Sequence, residues 1–273
     1  MENTCSNFFS FLPKNCGQTH PWLLVSQGKY LQSQTFCNIS KHEYIERDIP
    51  EFWNKQVSAT SYGWLVLIDY KGVPFDCSLV NTTSKERIQL PSIECIGIMG
   101  HFYQCILSNP PTDSNCQVLL ITCSNNDYFK AVTNFMGKLY AWMGESGNFV
   151  EVDFVGQDIV LNQIMNDKGQ LCRIPCPSLP NSTGIKDFLV ESCGELLLCE
   201  ELRNTGDRAI FLCHFGSMSL SCTNRSYLKR NSIYYARTGT NLCVYDIEDR
   251  SKTLLKLCPC RSDFPGLNPW LLL

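Results

Sequence analysis

Seventeen cysteines and four histidines are the residues of this 273-residue chain best able to do chemistry. Thiolates and imidazoles hold zinc at short, regular spacings, and a cysteine beside a histidine makes an activated nucleophile. No C-x-x-C pair occurs, and a zinc reading has to combine Cys172 and Cys176 (CRIPC) with Cys258 and Cys260 (CPC), a spacing foreign to the usual ligand sets. His20, His42, His101 and His214 stand in separate segments with no motif around them. His214 follows Cys213 directly, and neighbours on a strand point to opposite faces, so this pair makes no dyad. The expectation is a chain with no metal, no cofactor and no catalytic constellation, and not an enzyme.

Other motifs reduce to structure in the same way. The stretch GESGN, Gly144 to Asn148, is one residue away from a G-x-S-x-G elbow but lies between two strand patterns with no helix after it, which makes it a hairpin turn. Asp69, Asp153 and Asp246 close strand-like runs, where carboxylates make turn hydrogen bonds. Asn38, Asn81, Asn181 and Asn224 begin N-x-S/T matches, read as chance in a chain without a secretory signal. Trp53, Trp64, Trp142 and Trp270 are the candidate partner anchors, with Trp64 and Trp142 assigned to the core because they sit inside strand patterns. No protein-binding residue is singled out beyond these.

A net charge of -3, with no local cluster of Lys and Arg, argues against a nucleic-acid partner. No apolar run approaches the roughly 20 residues of a membrane span, and the first residues lack an import signal, so cytosol or nucleus is the expected compartment. Thiols stay reduced there. Cys105 in FYQCIL, Cys199 in LLLC, Cys213 in AIFLC and Cys243 in NLCVYD then act as small hydrophobes within strands.

The elements that would position any site are short strands separated by turn residues, from residue 20 onward. SYGWLVLIDYKGVPFDCSLVNTTSKERIQLP reads as three strands and two turns, and similar units return in GKLYAWMGESGNFVEVD, GELLLCEEL, NSIYYARTGTNLCVYDIED and QGKYLQSQTFCNI. A repeated small antiparallel sheet suggests blades stacked around an axis, a β-propeller, in preference to a sandwich. Blade stacking covers inner strands on both faces, which accounts for continuous apolar runs such as LLLC and AIFLC. The stretch NDYFKAVTNFM is open between a helix with Tyr128, Phe129, Val132 and Phe135 on one face and a short aromatic strand.

PWL at 21–23, SYGWLVL, SLVNTTSKERIQLP, ILSNPP, GKLYA, LVESCGELLL, GDRAIFL and NSIYY, in this order, resemble the plant KIB-type β-propeller domain found in F-box proteins. The resemblance implies an all-β, kelch-like propeller over residues 21–273 that binds a protein. It also implies, in typical members, a preceding F-box that docks a cullin-ligase adaptor. Residues 1–20 are too few for an F-box, so direct adaptor binding is not expected of this chain, and the recognition half of the usual function remains. The segments between ILSNPP and GKLYA, and between GELLL and GDRAIFL, are shorter than the resemblance implies. Missing strands there would leave unpaired edges, an incomplete ring and, in the alternative reading, a shortened relative without stable function. The ending FPGLNPWLLL is expected either to pack on the ring or to form a sticky tail.

Overall fold

The computed structural model describes residues 21–272 apart from 28–30, 32, 42, 60–61, 63, 70–73, 82–83, 85, 93–101, 123–128, 145, 157, 173–187, 199–201, 214–215, 237–240 and 257–269. The four histidines, Cys176, Cys199, Cys258, Cys260, Asn181 and Tyr128 lie outside the described residues. Among the described residues every regular element is a strand except a 3-10 turn at Pro50–Phe52. The strands are β1 Pro21–Gln27, β2 Ser33–Asn38, β3 Glu43–Asp48, β4 Lys55–Ala59, β5 Trp64–Asp69, β6 Asp76–Asn81, β7 Arg87–Gln89, β8 Phe102–Leu107, β9 Val118–Thr122 and β10 Phe129–Phe135. They continue as β11 Lys138–Met143, β12 Phe149–Val155, β13 Asp158–Gln163, β14 Leu189–Ser192, β15 Glu195–Leu198, β16 Arg208–Cys213, β17 Gly216–Ser221, β18 Ser232–Ala236, β19 Asn241–Asp246, β20 Lys252–Lys256 and β21 Trp270–Leu272. The segment left open between helix and strand is therefore a strand, β10.

These strands form six sheets, in the orders β21-β1-β2-β3, β4-β5-β6-β7, β8-β9, β10-β11-β12-β13, β14-β15 and β17-β16-β18-β19-β20. We number them one to six in the order of their first long strand. The inner strands β4, β8, β10, β14, β17 and β21 touch in that succession and mark the axis. Two-residue hairpins carry the tight turns: Met136–Gly137 and Cys193–Gly194 both have positive φ at each position, the backbone that matches strand twist.

Side-chain alternation turns six narrow sheets into one ring. On β5, Leu65 and Leu67 pack toward sheet one while Trp64, Val66 and Ile68 pack toward sheet three. On β1, Trp22 and Leu24 meet sheet two, and Leu23 and Val25 meet sheet six. The same alternation places Ala209, Phe211 and Cys213 of β16 against sheet one, and Ile210 and Leu212 against sheet five. The remaining seams join sheet three to four and sheet four to five. Each sheet thus packs on the next and the sixth on the first, so the ring closes. β21 joins this closure by pairing Leu272, Leu271 and Trp270 with Pro21, Trp22 and Leu23, so Leu271 and Leu272 belong to a strand.

The two apolar runs separate on the structure. AIFLC is the centre of β16, buried on both faces as expected. LLL of β15 is only half-buried, which corrects the expectation of a fully covered inner strand. Leu196 and Leu198 face sheet four and Leu197 faces sheet six, but β15 is the outer edge of a two-stranded sheet and no further strand shields it among the described residues. A second departure is that β16 runs parallel to β18, against the expected all-antiparallel blade. The chain folds inward from β16 to β17 and then crosses back to begin β18 on the other side of β16.

Because the closing seam holds a buried ring, Phe211, stacked on Tyr234 at 4.8 Å, Phe211→Ala is expected to destabilise the fold by about 3–5 kcal/mol. Urea unfolding followed by circular dichroism reads this as a lower midpoint, with one cooperative transition in the parent chain.

Candidate functional site: the face and rim of the ring

Three connections from inner strands meet on one face of the ring. Tyr62, between β4 and β5, sits at positive φ and is 44% exposed. Its hydroxyl donates to the Ser108 carbonyl at 3.3 Å, just past the end of β8. The Asn134 amide, near the end of β10, donates to the Tyr62 hydroxyl and to the same Ser108 carbonyl, each at 3.2 Å. Burial raises the Tyr62 phenol above its ordinary value. Met136, at the β10–β11 turn beside Asn134, is 79% exposed. Tyr62 and Met136 are two large exposed side chains on connections that leave inner strands.

The rim carries a second apolar surface. All six residues of β13 are exposed, and Val155, Ile159, Val160, Leu161 and Met165 account for five of the ten large exposed hydrophobic side chains of the described structure. The neighbouring sheets explain this. Among the described residues sheets three and five are two strands wide, and β13 lies beyond the strands of theirs that pack against sheet four.

Polar groups cluster where the short junction joins β15 to β16. The Arg208 guanidinium donates to the Thr205 carbonyl at 2.8 Å, to the Ser192 carbonyl at 3.0 Å and hydroxyl at 3.1 Å, and to the Glu195 carboxylate at 2.9 Å. Ser192 and Ser219 hydroxyls lie 2.6 Å apart, and Asn231 accepts from the Thr205 backbone amide at 2.8 Å. This network ties the hairpin of sheet five to sheet six, and its geometry is that of a structural staple.

Of the residues singled out in the sequence, Trp64 and Trp142 are buried as assigned, and Trp53 is exposed. Trp270 lies on β21, with nothing described of its side chain. Cys105, Cys213 and Cys243 are buried within strands. Burial pushes Cys37 and Cys77 up to about 12 and Cys105 well above its ordinary value, so these thiols stay protonated and unreactive. Cys172 is half-buried, and among the described residues no group of three or more His, Cys, Asp or Glu is placed to hold a metal. GESGN is the β11–β12 turn, closed by the Met143 amide on the Asn148 carbonyl and the Gly147 amide on the Met143 carbonyl, both at 2.9 Å. Asp246 accepts from the amides of Glu248 and Asp249 and from the Lys229 ammonium at 2.6 Å. The face and rim residues Tyr62, Asn134, Met136 and those of β13 were missed by motif reading, because surface apolar residues carry no spacing signature.

A ring of small sheets packed face to face, with apolar side chains exposed on its face and rim, is a β-propeller. Comparison places it more narrowly: a family profile described as KIB1-4 beta-propeller matches residues 36–205, and the chain belongs to that family. The chain is 28% identical over 117 residues to the F-box protein KIB3 of Arabidopsis thaliana. That match covers 41% of this chain and 25% of the relative. Among solved structures it is similar to TolB from Acinetobacter baumannii, at 9% identity and a TM-score of 0.33, covering 92% of this chain and 66% of that one. It is also similar to apo AztD from Citrobacter koseri, at 6% identity and a TM-score of 0.38, covering 93% and 99% of the two chains. No helix among the described residues is long and apolar enough to cross a membrane.

Two expectations follow from the polar groups. Arg208→Ala leaves the Ser192 and Thr205 carbonyls and the Glu195 carboxylate without their donor, and is expected to cost about 1–3 kcal/mol in thermal or urea unfolding. Asp207 is lowered from its ordinary value of 3.8 by the hydroxyls of Thr223 and Ser221, and Asp246 is lowered by Lys229 and the turn amides. Carboxylates whose folded values are depressed add stability above their unfolded values and lose it as pH falls through the folded ones. The unfolding midpoint should therefore drop as pH is taken below 3.8, and Asp246→Asn should flatten that part of the profile.

Proposed function

We propose that this ring is a protein-recognition module, related to the substrate-holding half of F-box ubiquitin-ligase adaptors, and that it grips its partner by the face bearing Tyr62, Asn134 and Met136. The observation that carries the reading is the fixed placement of an exposed phenol at the meeting point of three blades, braced by Ser108 and Asn134. Holding Tyr62 in place beforehand lowers the ordering cost of binding, and Tyr at the centre of a contact surface supplies a large apolar area with a polar rim. Membership of the KIB1-4 beta-propeller family and the name of the relative support the recognition role. The partner is a protein held without metal or cofactor, and the purified chain holds it without the cullin adaptor.

The test is affinity capture from plant extract, with the parent chain compared against Tyr62→Ala and Met136→Asp, and with Leu161→Lys as a rim control. The proposal expects a defined protein captured by the parent and the rim variant and reduced about tenfold or more by each face variant. Equal capture by all four chains, or direct adaptor binding in purified form, would contradict it.

A further inference from the structure

Among the described residues Met136 is the most exposed large hydrophobic side chain, at 79%. Its backbone deepens the anomaly. Met136 and Gly137 are the central residues of the β10–β11 turn, with φ of 51° and 77°. The first position of such a turn favours Asn, Asp or Gly, and a longer side chain is held there against its own steric preference. Neither burial nor local conformation accounts for a thioether at this position, and an outlier of that kind points outward, to what the side chain meets.

The neighbouring sheet repeats the pattern with the other sulfur residue. Cys193 and Gly194 form the β14–β15 turn at φ of 52° and 78°, and Cys193 is exposed. Elsewhere the described methionines are better covered: Met143 and Met218 are half-buried, and Met165 on the rim is 54% exposed.

Oxidants of the peroxide class attack sulfur in order of access. A thioether takes one oxygen atom from the peroxide as its O–O bond breaks, giving a sulfoxide and one water. Sulfur loses two electrons, the peroxide gains them, and no proton is left over. The side chain changes from flexible and apolar to polar, on the surface proposed above to meet a partner.

We propose that Met136 is an oxidation-sensitive contact, and that its conversion to the sulfoxide releases the partner from the face bearing Tyr62. The inference rests on that face being the contact surface. It makes the grip reversible, because methionine sulfoxide reductases return the sulfoxide to the thioether. Sulfenic acids and disulfides at cysteine yield instead to thiol reductants, so the chemistry of recovery says which sulfur carried the effect.

The test treats the purified chain with a limiting dose of hydrogen peroxide, maps the oxidised residues by peptide mass spectrometry, and compares affinity capture from plant extract before and after. Met136 should be oxidised ahead of Met165, Met143 and Met218. Capture should fall about tenfold or more, recover with methionine sulfoxide reductases, and stay low with dithiothreitol alone. Met136→Leu, whatever its own level of capture, should lose the dependence on peroxide. The melting temperature should be the same before and after oxidation. Slower oxidation of Met136 than of Met143 or Met218, capture unchanged by peroxide, recovery with dithiothreitol alone, or a fall in melting temperature on oxidation would each overturn this inference and leave the contact face standing. No capture by the reduced chain would overturn the contact face, and this inference with it.

Discussion

Every sheet of this protein is too narrow to bury either of its own faces, and the fold depends on a neighbour being present on both sides. A four-stranded sheet in water exposes the alternating apolar residues of each strand, whereas a ring of such sheets removes both faces at once. The division of β1 between Leu23 and Val25 on one seam and Trp22 and Leu24 on the next shows the constraint at a single strand. Ring closure between sheets six and one is then a requirement shared by all seams, since any opening would expose a face on each side of the break.

The same constraint explains where the surface becomes sticky. Among the described residues two of the six sheets stop at the second strand, and β13 at the rim of sheet four lacks the cover that strands nearer the axis have. Apolar residues that elsewhere would form seams appear on the rim as Ile159, Val160 and Leu161. The Arg208 network plays the compensating part at the other short sheet, replacing apolar cover with charge-assisted hydrogen bonds across the junction. Among the described residues the buried cysteines and the turn carboxylate of Asp246 are committed to packing and to backbone geometry.

Much of the architecture was legible in the residues. WLVLID and CSLVN fell where β5 and β6 are, because a strand buried on both faces is mostly apolar and ends at turn residues, and RIQ, exposed at Arg87 and Gln89, was legible as β7 from the polar turn before it. GESGN was legible as a turn for the same reason. Two features were not. The parallel pairing of β16 with β18 depends on which side of β16 the crossing chain returns to, and local sequence holds no record of that side. The half-exposure of Leu196–Leu198 depends on the width of the sheet, which is a property of segments distant in sequence. Tyr62 and Asn134, 72 positions apart, became a pair only when the ring brought their loops together.

Hydrogen exchange read at the closing seam tests ring closure most directly. The amides of Leu23–Val25 in β1 and Ala209–Leu212 in β16 should exchange only through global unfolding, as slowly as those of Leu65–Leu67 in the interior of sheet two. Fast exchange confined to β1 and β16, with the other seams protected, would contradict closure and leave the molecule an open arc of sheets.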